Sequence, residues 1–397
     1  MVMTNRLALA LLLTVLTAIP GVAVRAEEIV RQAAVPLDVR VPAMPAWIAA
    51  RDGAHALYEL HLVSYRALPL ELLQLDILDA GSGAVLASLA GDALLQVLAR
   101  PGRNDGPGSR LHLAGGDMAV LFIELRRLPG EALPSAVRHA WYLRRAAGEG
   151  EAPSERVWLM ESAAMPIAPA PAVLLGPPLR GSGWLAANGL GNDADHRRTL
   201  FAIDGQVRIS QRYAIDFVRI GTNGRVARAD RPGNEDFFGY GAELLAVADG
   251  IIVAVHDGMP ENTPFSESTA VEVTLETIAG NHIILDTGDA RVLYGHLRPG
   301  TIPVRPGDRV RRGDVIGQLG NSGNSDAPHL HLQVTDLPAA LAAEGLPFIF
   351  EDFDWQGRID DLDAWMAAGP PWEPAAMASG SRRAELPLDG DVIAFPD

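Results

Sequence analysis

The 397-residue chain has no cysteine and no lysine. Lack of cysteine excludes a disulfide framework, a thiolate metal site, a cysteine nucleophile and a lipoprotein anchor. Lack of lysine excludes Schiff-base chemistry and any lysine-attached cofactor. Basic charge is scarce: 33 arginines stand against 49 acidic residues, giving a net charge of −16 and a pI near 5.0. That balance argues against a nucleic-acid binder, which carries a basic stripe, and against an electrostatic anchor on anionic lipid. Long apolar runs are scarce too. One, at 7–19, follows Arg6, stops at Pro20 and Gly21, and precedes a small-residue cleavage site at Val24, Arg25 and Ala26. It is short for a bilayer span, so residues 1–26 are expected to be a secretory signal peptide that exports the protein to the periplasm or beyond. No later run is long enough to span a membrane.

What is present is ample apolar material, 48% of residues with 21% charged, enough for sizeable cores. At this length two domains are expected, and both read as β-rich. Residues 27–162 break into short runs at 37–41, 56–63, 72–78, 85–89, 93–98, 118–125 and 137–143, divided by Gly and Pro turns. This spacing predicts an Ig-like β-sandwich. His61, His112 and His139 stand singly in those runs without a second ligand at metal spacing, and read as packed or surface imidazoles. Residues 163–183, with Pro166, Pro169, Pro171, Pro177 and Pro178, read as a semi-rigid linker. The second domain, 184–355, has strands expected at 196–203, 206–218, 243–256, 270–277, 281–287, 291–297, 309–319 and 330–334, then a short helix at 338–344. Asp204 and Gly205 signal a hairpin between the first pair. Residues 356–397 read as a C-terminal extension.

The densest chemistry lies at His329, Leu330 and His331. In an extended segment these two imidazoles share one face with Gln333, while Leu330, Leu332 and Val334 face the other way and pack. Imidazole ligates zinc and carries protons near neutral pH. The preceding loop, 320–325, is a polar Gly/Asn/Ser run that brings backbone close to a ligand. It has no following helix and no basic residue, so phosphate cradling is set aside. Three further positions join the pair: Asp216, a carboxylate in an apolar strand that needs a cationic or metal partner; His296, beside Gly295 at a strand end; and His196. One carboxylate and two neutral imidazoles make a three-ligand metal site with an open position.

Taken in order, Asn281 to Gly288, Tyr294-Gly-His296-Leu, Val304 to Gly317, Gly320-Asn-Ser-Gly323 and Pro328-His-Leu-His-Leu resemble the lysostaphin/LytM-type zinc metallopeptidases, over roughly residues 205–335. The resemblance implies an all-β chain whose second domain is a two-sheet metallopeptidase of duplicated hybrid motif type. It also implies one zinc ion and endopeptidase cleavage of peptidoglycan cross-links. By resemblance His331 and Asp216 hold the metal. His329 and His296 flank the catalytic water, with their division of labour left open.

One position departs from the pattern. The family carries its remaining ligand in a His-x-x-x-Asp motif, and Arg212 stands where that histidine would be. A guanidinium stays protonated and cannot ligate. His196 is the expected replacement, ahead of His256 and His282. A two-residue hairpin at Asp204 and Gly205 would set His196 opposite Tyr213; a three-residue loop would set it beside Arg212, on the Asp216 face, and is the register expected. Asn188, Arg212 and Tyr240 are the candidate substrate-binding residues. The expected partner is a peptide or peptidoglycan substrate, with the sandwich docking the cell wall or shielding the groove. A competing reading is a degenerate family member that regulates other cell-wall hydrolases by binding. The missing motif histidine favours it; the retained Asp216, His296, His329 and His331 oppose it. A purely structural zinc site ranks last, because five polar groups are too many for a closed site.

Overall fold

The computed structural model describes residues 28–32, 34–65, 69–103, 110–147, 152, 154–374 and 380–397. The segment read as a signal peptide lies outside the described residues. No helix among them is long and apolar enough to cross a membrane.

The chain is built almost wholly of strands. In the amino-terminal half, two sheets face each other. One runs Leu37–Arg40, Gly53–Ser64, Met118–Arg127, Leu98–Ala99. The other runs Glu28–Arg31, Arg156–Glu161, Ala136–Arg145, Leu70–Asp79, Val85–Ala90. Their alternating inward residues, among them Tyr58, Leu60, Leu75, Leu121 and Trp141, form one apolar core. The other face of the first sheet is buried as well: Leu57 joins the core of the second domain, and Val120 and Phe122 pack on Ile209. His139 lies in the sandwich core with Nε2 2.8 Å from Tyr58 Oη, and burial pushes its pKa down to about 4.

The second domain centres on an 11-stranded sheet that includes, side by side, Gly181–Ala187, Ile215–Arg219, Leu330–Thr335, Arg291–Leu297, Asn281–Asp286 and Gly250–His256. A small sheet of Glu243–Leu245 and Val315–Gln318 covers it, and Leu244 and Ile316 meet Ile252, Ile283 and Leu297 in a shared core.

Several expectations are corrected. Residues 163–183, expected as a semi-rigid linker, are built into the sheets: Met165–Pro166 pairs with strand Ala136–Arg145, and Val173–Leu175 pairs in parallel with Phe348–Phe350. Residues 356–397 are not an appendage. Strand Asp391–Phe395 is the direct neighbour of Gly181–Ala187, and strand Phe348–Arg358 runs through residue 356. Residues 93–97 lie in helix Asp92–Val97 rather than in a strand, and strand Leu98–Ala99 begins only after it. Residues 270–277 make turns, because Thr277 Oγ1 donates to Glu272 O at 2.6 Å and competes with strand pairing. Residues 338–344 form a closed loop instead of a helix, since the Glu344 amide donates to Asp336 Oδ1 at 2.8 Å and bends the chain back.

Two outcomes check these placements. Phe395 is 3% exposed and stacks edge-on against Phe217 and Phe350 at 5.6 and 5.2 Å. Phe395→Ala is expected to cost about 3–5 kcal/mol in urea unfolding, whereas a dispensable tail would show no change. His55 sits between Asp52 (2.8 Å) and Glu124 (2.7 Å). Burial opposes its charge, but both carboxylates outweigh burial and raise the pKa to about 9. A raised histidine pKa stabilises the fold fully below its ordinary 6.5 and ceases to do so as pH climbs through about 9. The stability advantage of wild type over His55→Gln, on the order of 1–3 kcal/mol near neutral pH, is expected to shrink between pH 7 and 10.

Candidate metal centre

Strand register brings the site together. Asp216 lies directly across from His331, and His331 lies across from Gly295 on its other side. A side chain at 295 would crowd His331, since a Cβ there would come within 3.3 Å of the histidine Cβ. Leu330, Leu332 and Val334 enter the apolar core, and His331 and Gln333 face the opposite way, as the alternation predicts. His329 precedes the strand and bridges to Gly320. These groups line a groove of about 420 Å³, with Ile278, Leu293 and Leu341 on its apolar walls and Asn188, Gln211 and Asp326 among its polar ones.

His196 reaches the site by an unexpected path. The hairpin has the two-residue turn, with Ile203 paired to Gln206, so the three-residue register is wrong. His196 lies outside the hairpin altogether, on the helical turn Asp195–Arg198. From there its Nε2 comes 3.2 Å from Asp216 Oδ2. His256 and His282 stack on each other at 5.7 Å and do not line the groove. Arg212 is not a groove residue. It is buried between the domains, bonded to Glu59 and Glu344. Tyr240 also lies outside the groove lining, donating to Glu261 Oε2 at 2.6 Å. Asn188 does line it, and its Nδ2 donates to Asp216 Oδ2 at 3.1 Å.

The protons can be placed from the hydrogen bonds. Gln333 Nε2 donates to Ala340 O at 2.8 Å, so its carbonyl oxygen is the atom facing His331 Nε2 at 3.1 Å. A proton on Nε2 facing that oxygen leaves Nδ1, 2.9 Å from Asp216 Oδ1, free to ligate. His196 donates Nδ1–H to the carbonyls of Asn188 (3.1 Å) and Ala214 (3.3 Å), which turns Nε2 toward Asp216; burial opposes charge on this imidazole, but the carboxylate raises its pKa. All the ligand atoms of this triad lie within 4.8 Å of one another. A proton on either imidazole nitrogen can bridge it to the carboxylate, and a metal ion taking that place would be held by all three. The donor set of two imidazole nitrogens and a carboxylate fits a divalent zinc-type ion.

The two remaining imidazoles are held the same way. His296 donates Nδ1–H to Ser322 O at 2.7 Å, and His329 donates Nδ1–H to Ala327 O at 2.8 Å. Both turn Nε2 away from those carbonyls, and the rings stand 4.7 Å apart. Burial and the neighbouring His329 hold His296 well below the usual histidine range. Burial opposes charge on His329, but Asp216, whose Oδ1 is 3.5 Å away, raises it. Burial would raise the Asp216 carboxyl, yet His196 and His329 keep it well below its ordinary value. His296 adopts φ +63°, a conformation that costs a side-chain-bearing residue on the order of 1–3 kcal/mol. The polar loop 320–325 maintains it: Ser322 supplies the carbonyl, and its own hydroxyl donates to Leu297 O at 2.8 Å.

Residues 236–341 match Peptidase family M23. The chain is 32% identical over 120 residues to lysostaphin of Staphylococcus simulans, covering 28% of this chain and 24% of that protein. It is 32% identical over 120 residues to the glycyl-glycine endopeptidase ALE-1 of Staphylococcus capitis (28% and 33% covered). It is 34% identical over 90 residues to the peptidoglycan DD-endopeptidase ShyA of Vibrio cholerae (21% and 20% covered). The solved catalytic domain of lysostaphin from Staphylococcus simulans aligns over 42% of this chain and 88% of that one, at 23% identity and a TM-score of 0.22. The chain spans only 20–33% of the length of these three curated relatives. His296, His329 and His331 all lie within the segment that matches the family. The family match begins after His196 and Asp216, which the geometry joins to the site.

From the sequence Gln333 is only a neighbour on the histidine face, yet its Oε1 lies 3.1 Å from His331 Nε2 and orients that ring. Gln333→Leu is expected to lower zinc affinity on the order of tenfold to a hundredfold, measured by chelator competition, with the fold intact by circular dichroism.

Proposed function

We propose that this chain is an exported zinc metalloendopeptidase that hydrolyses peptide bonds in peptidoglycan cross-links. The observation that carries the reading is the convergence of His196 Nε2, Asp216 and His331 Nδ1 in a groove that also holds His296 and His329. The relatives named as endopeptidases support the substrate class, and the leading apolar segment supports export. In this reading His196, Asp216 and His331 hold one zinc ion. Such an ion supplies a Lewis acid for the scissile carbonyl and makes water a nucleophile near neutral pH. The protein's own groups do the rest. His296 and His329, each with Nδ1 committed to a backbone carbonyl, offer Nε2 to accept the proton of the attacking water and to steady charge on the carbonyl oxygen. The apolar wall of the groove excludes water beside them, and Asn188 keeps the Asp216 carboxylate in place. The replaced motif histidine no longer argues for a degenerate regulator, since His196 supplies an imidazole at the same carboxylate.

Metal content and cleavage of cross-linked peptidoglycan peptides test this directly. Wild type is expected to hold one zinc and to cleave. His331→Ala and His196→Ala should bind zinc more weakly, by a factor that chelator competition still reads, and lose activity, whereas His329→Ala and His296→Ala should keep zinc and lose kcat by about 10²–10⁴-fold. Wild type that takes up no zinc when supplied with it would sink the proposal.

A further inference from the structure

The helical turn that bears His196 cannot hold itself in place. It has four residues, Asp195–Arg198, and no side-chain cap. A helix of that length is not stable alone. Its position is set by the residue after His196. Arg197 is fully buried and reaches into the sandwich: Nη1 donates to Glu59, and Nη2 donates to Tyr58 O at 3.1 Å and Ile123 O at 2.9 Å. Its Nε donates to Asn192 Oδ1 at 3.0 Å. The guanidinium of Arg198 lies 4.6 Å from the Phe122 ring centroid, on the same sandwich face.

Glu59 grips the other ligand-bearing segment as well. Arg212 donates Nε–H to Glu59 Oε2 at 2.9 Å, with Nη2 2.8 Å from the same oxygen, and Nη2 also pairs with Glu344 at 2.8 Å. Arg212 stands four residues before Asp216. One carboxylate, 0% exposed, therefore ties together the neighbours of His196 and of Asp216. Two guanidiniums and two carboxylates balance, so each needs the others; an uncompensated charge there is expensive.

We infer that Glu59 is a positioning residue for the metal centre: the sandwich, through Glu59 and Arg197, places His196 opposite Asp216. The inference rests on the metal triad proposed above. It gives the sandwich a role in completing the site rather than in covering it. It also joins two departures in one account: Arg212 has become an inter-domain contact, and the histidine missing there is supplied by a turn that the same contact anchors.

The test uses the full chain and zinc affinity by chelator competition, with circular dichroism as a check on folding. Glu59→Gln is expected to weaken zinc binding on the order of tenfold to a hundredfold. Arg197→Lys, which keeps the charge but not the fork, should shift affinity in the same direction by less. In a His196→Ala background, Glu59→Gln should weaken zinc binding by a smaller factor than in wild type, because most of its effect runs through that imidazole. Unchanged affinity in Glu59→Gln and Arg197→Lys would overturn the inference while leaving the zinc site standing. So would a Glu59→Gln loss of equal size in the His196→Ala background, which marks general loosening. Should Glu59→Gln not fold, Arg197→Lys decides alone: weakened zinc binding supports the inference and wild-type affinity overturns it. A wild-type chain that binds no zinc removes the metal triad itself, and this inference with it.

Discussion

The meeting of two imidazoles on one buried carboxylate is the constraint on which this structure turns. His196 Nε2, His331 Nδ1 and the Asp216 carboxylate converge while the far nitrogen of each imidazole is held, by backbone carbonyls in one case and by Gln333 in the other. Those far-side contacts orient the rings and leave the near nitrogens free to hold a metal ion. The strand order gives the reason this meeting can be maintained. Asp216 and His331 are cross-strand neighbours in a continuous sheet, so their separation is set by backbone pairing and not by flexible loops.

The inter-domain contact has a different character. Its charged groups are almost completely out of water, and a buried ion pair seldom adds stability over an apolar contact of equal size. What it offers is definition. An apolar interface tolerates sliding, whereas two guanidinium forks on one carboxylate accept a single arrangement. A metal site needs its donors placed to within a fraction of an ångström, and a four-residue turn has no internal means of achieving that. The polar cluster sits where such definition is required.

The sequence revealed those parts of the site that rest on local periodicity. His329 and His331 announce themselves by spacing, and the alternation that sends Leu330, Leu332 and Val334 to the core sends His331 and Gln333 to the groove. Asp216 stood out as a carboxylate in an apolar run. Hidden were the features decided by distant segments. Nothing local marks Arg212 as a partner of Glu59, 153 residues away. Alternation in Gly53–Ser64 shows two kinds of side chain but not that the second face, with Leu57 and Glu59, is buried by another domain. The carboxyl-terminal residues looked like a tail because proline and acidic residues dilute their pattern, yet Asp391–Phe395 pairs within the central sheet. The path of His196 was mistaken for a related reason. A helical turn of four residues leaves no periodic trace, so the hairpin at Asp204 and Gly205 was extended back over it.

The exchange of histidine for arginine four residues before Asp216 shows what a metal site specifies. It specifies points in space and lone-pair directions, not positions along a strand. A strand can supply an imidazole there, and so can a neighbouring turn, provided something fixes the turn. Here the fixing group lies in the sandwich, on the face whose Leu57, Val120 and Phe122 also pack against the second domain. A side chain at 212 that ligated metal would leave Arg197 facing Glu59 alone, and Glu344 without its partner. The arginine and the displaced histidine are therefore alternatives to the motif only as a pair. Either change by itself would leave a buried charge unpaired or a carboxylate without its second imidazole.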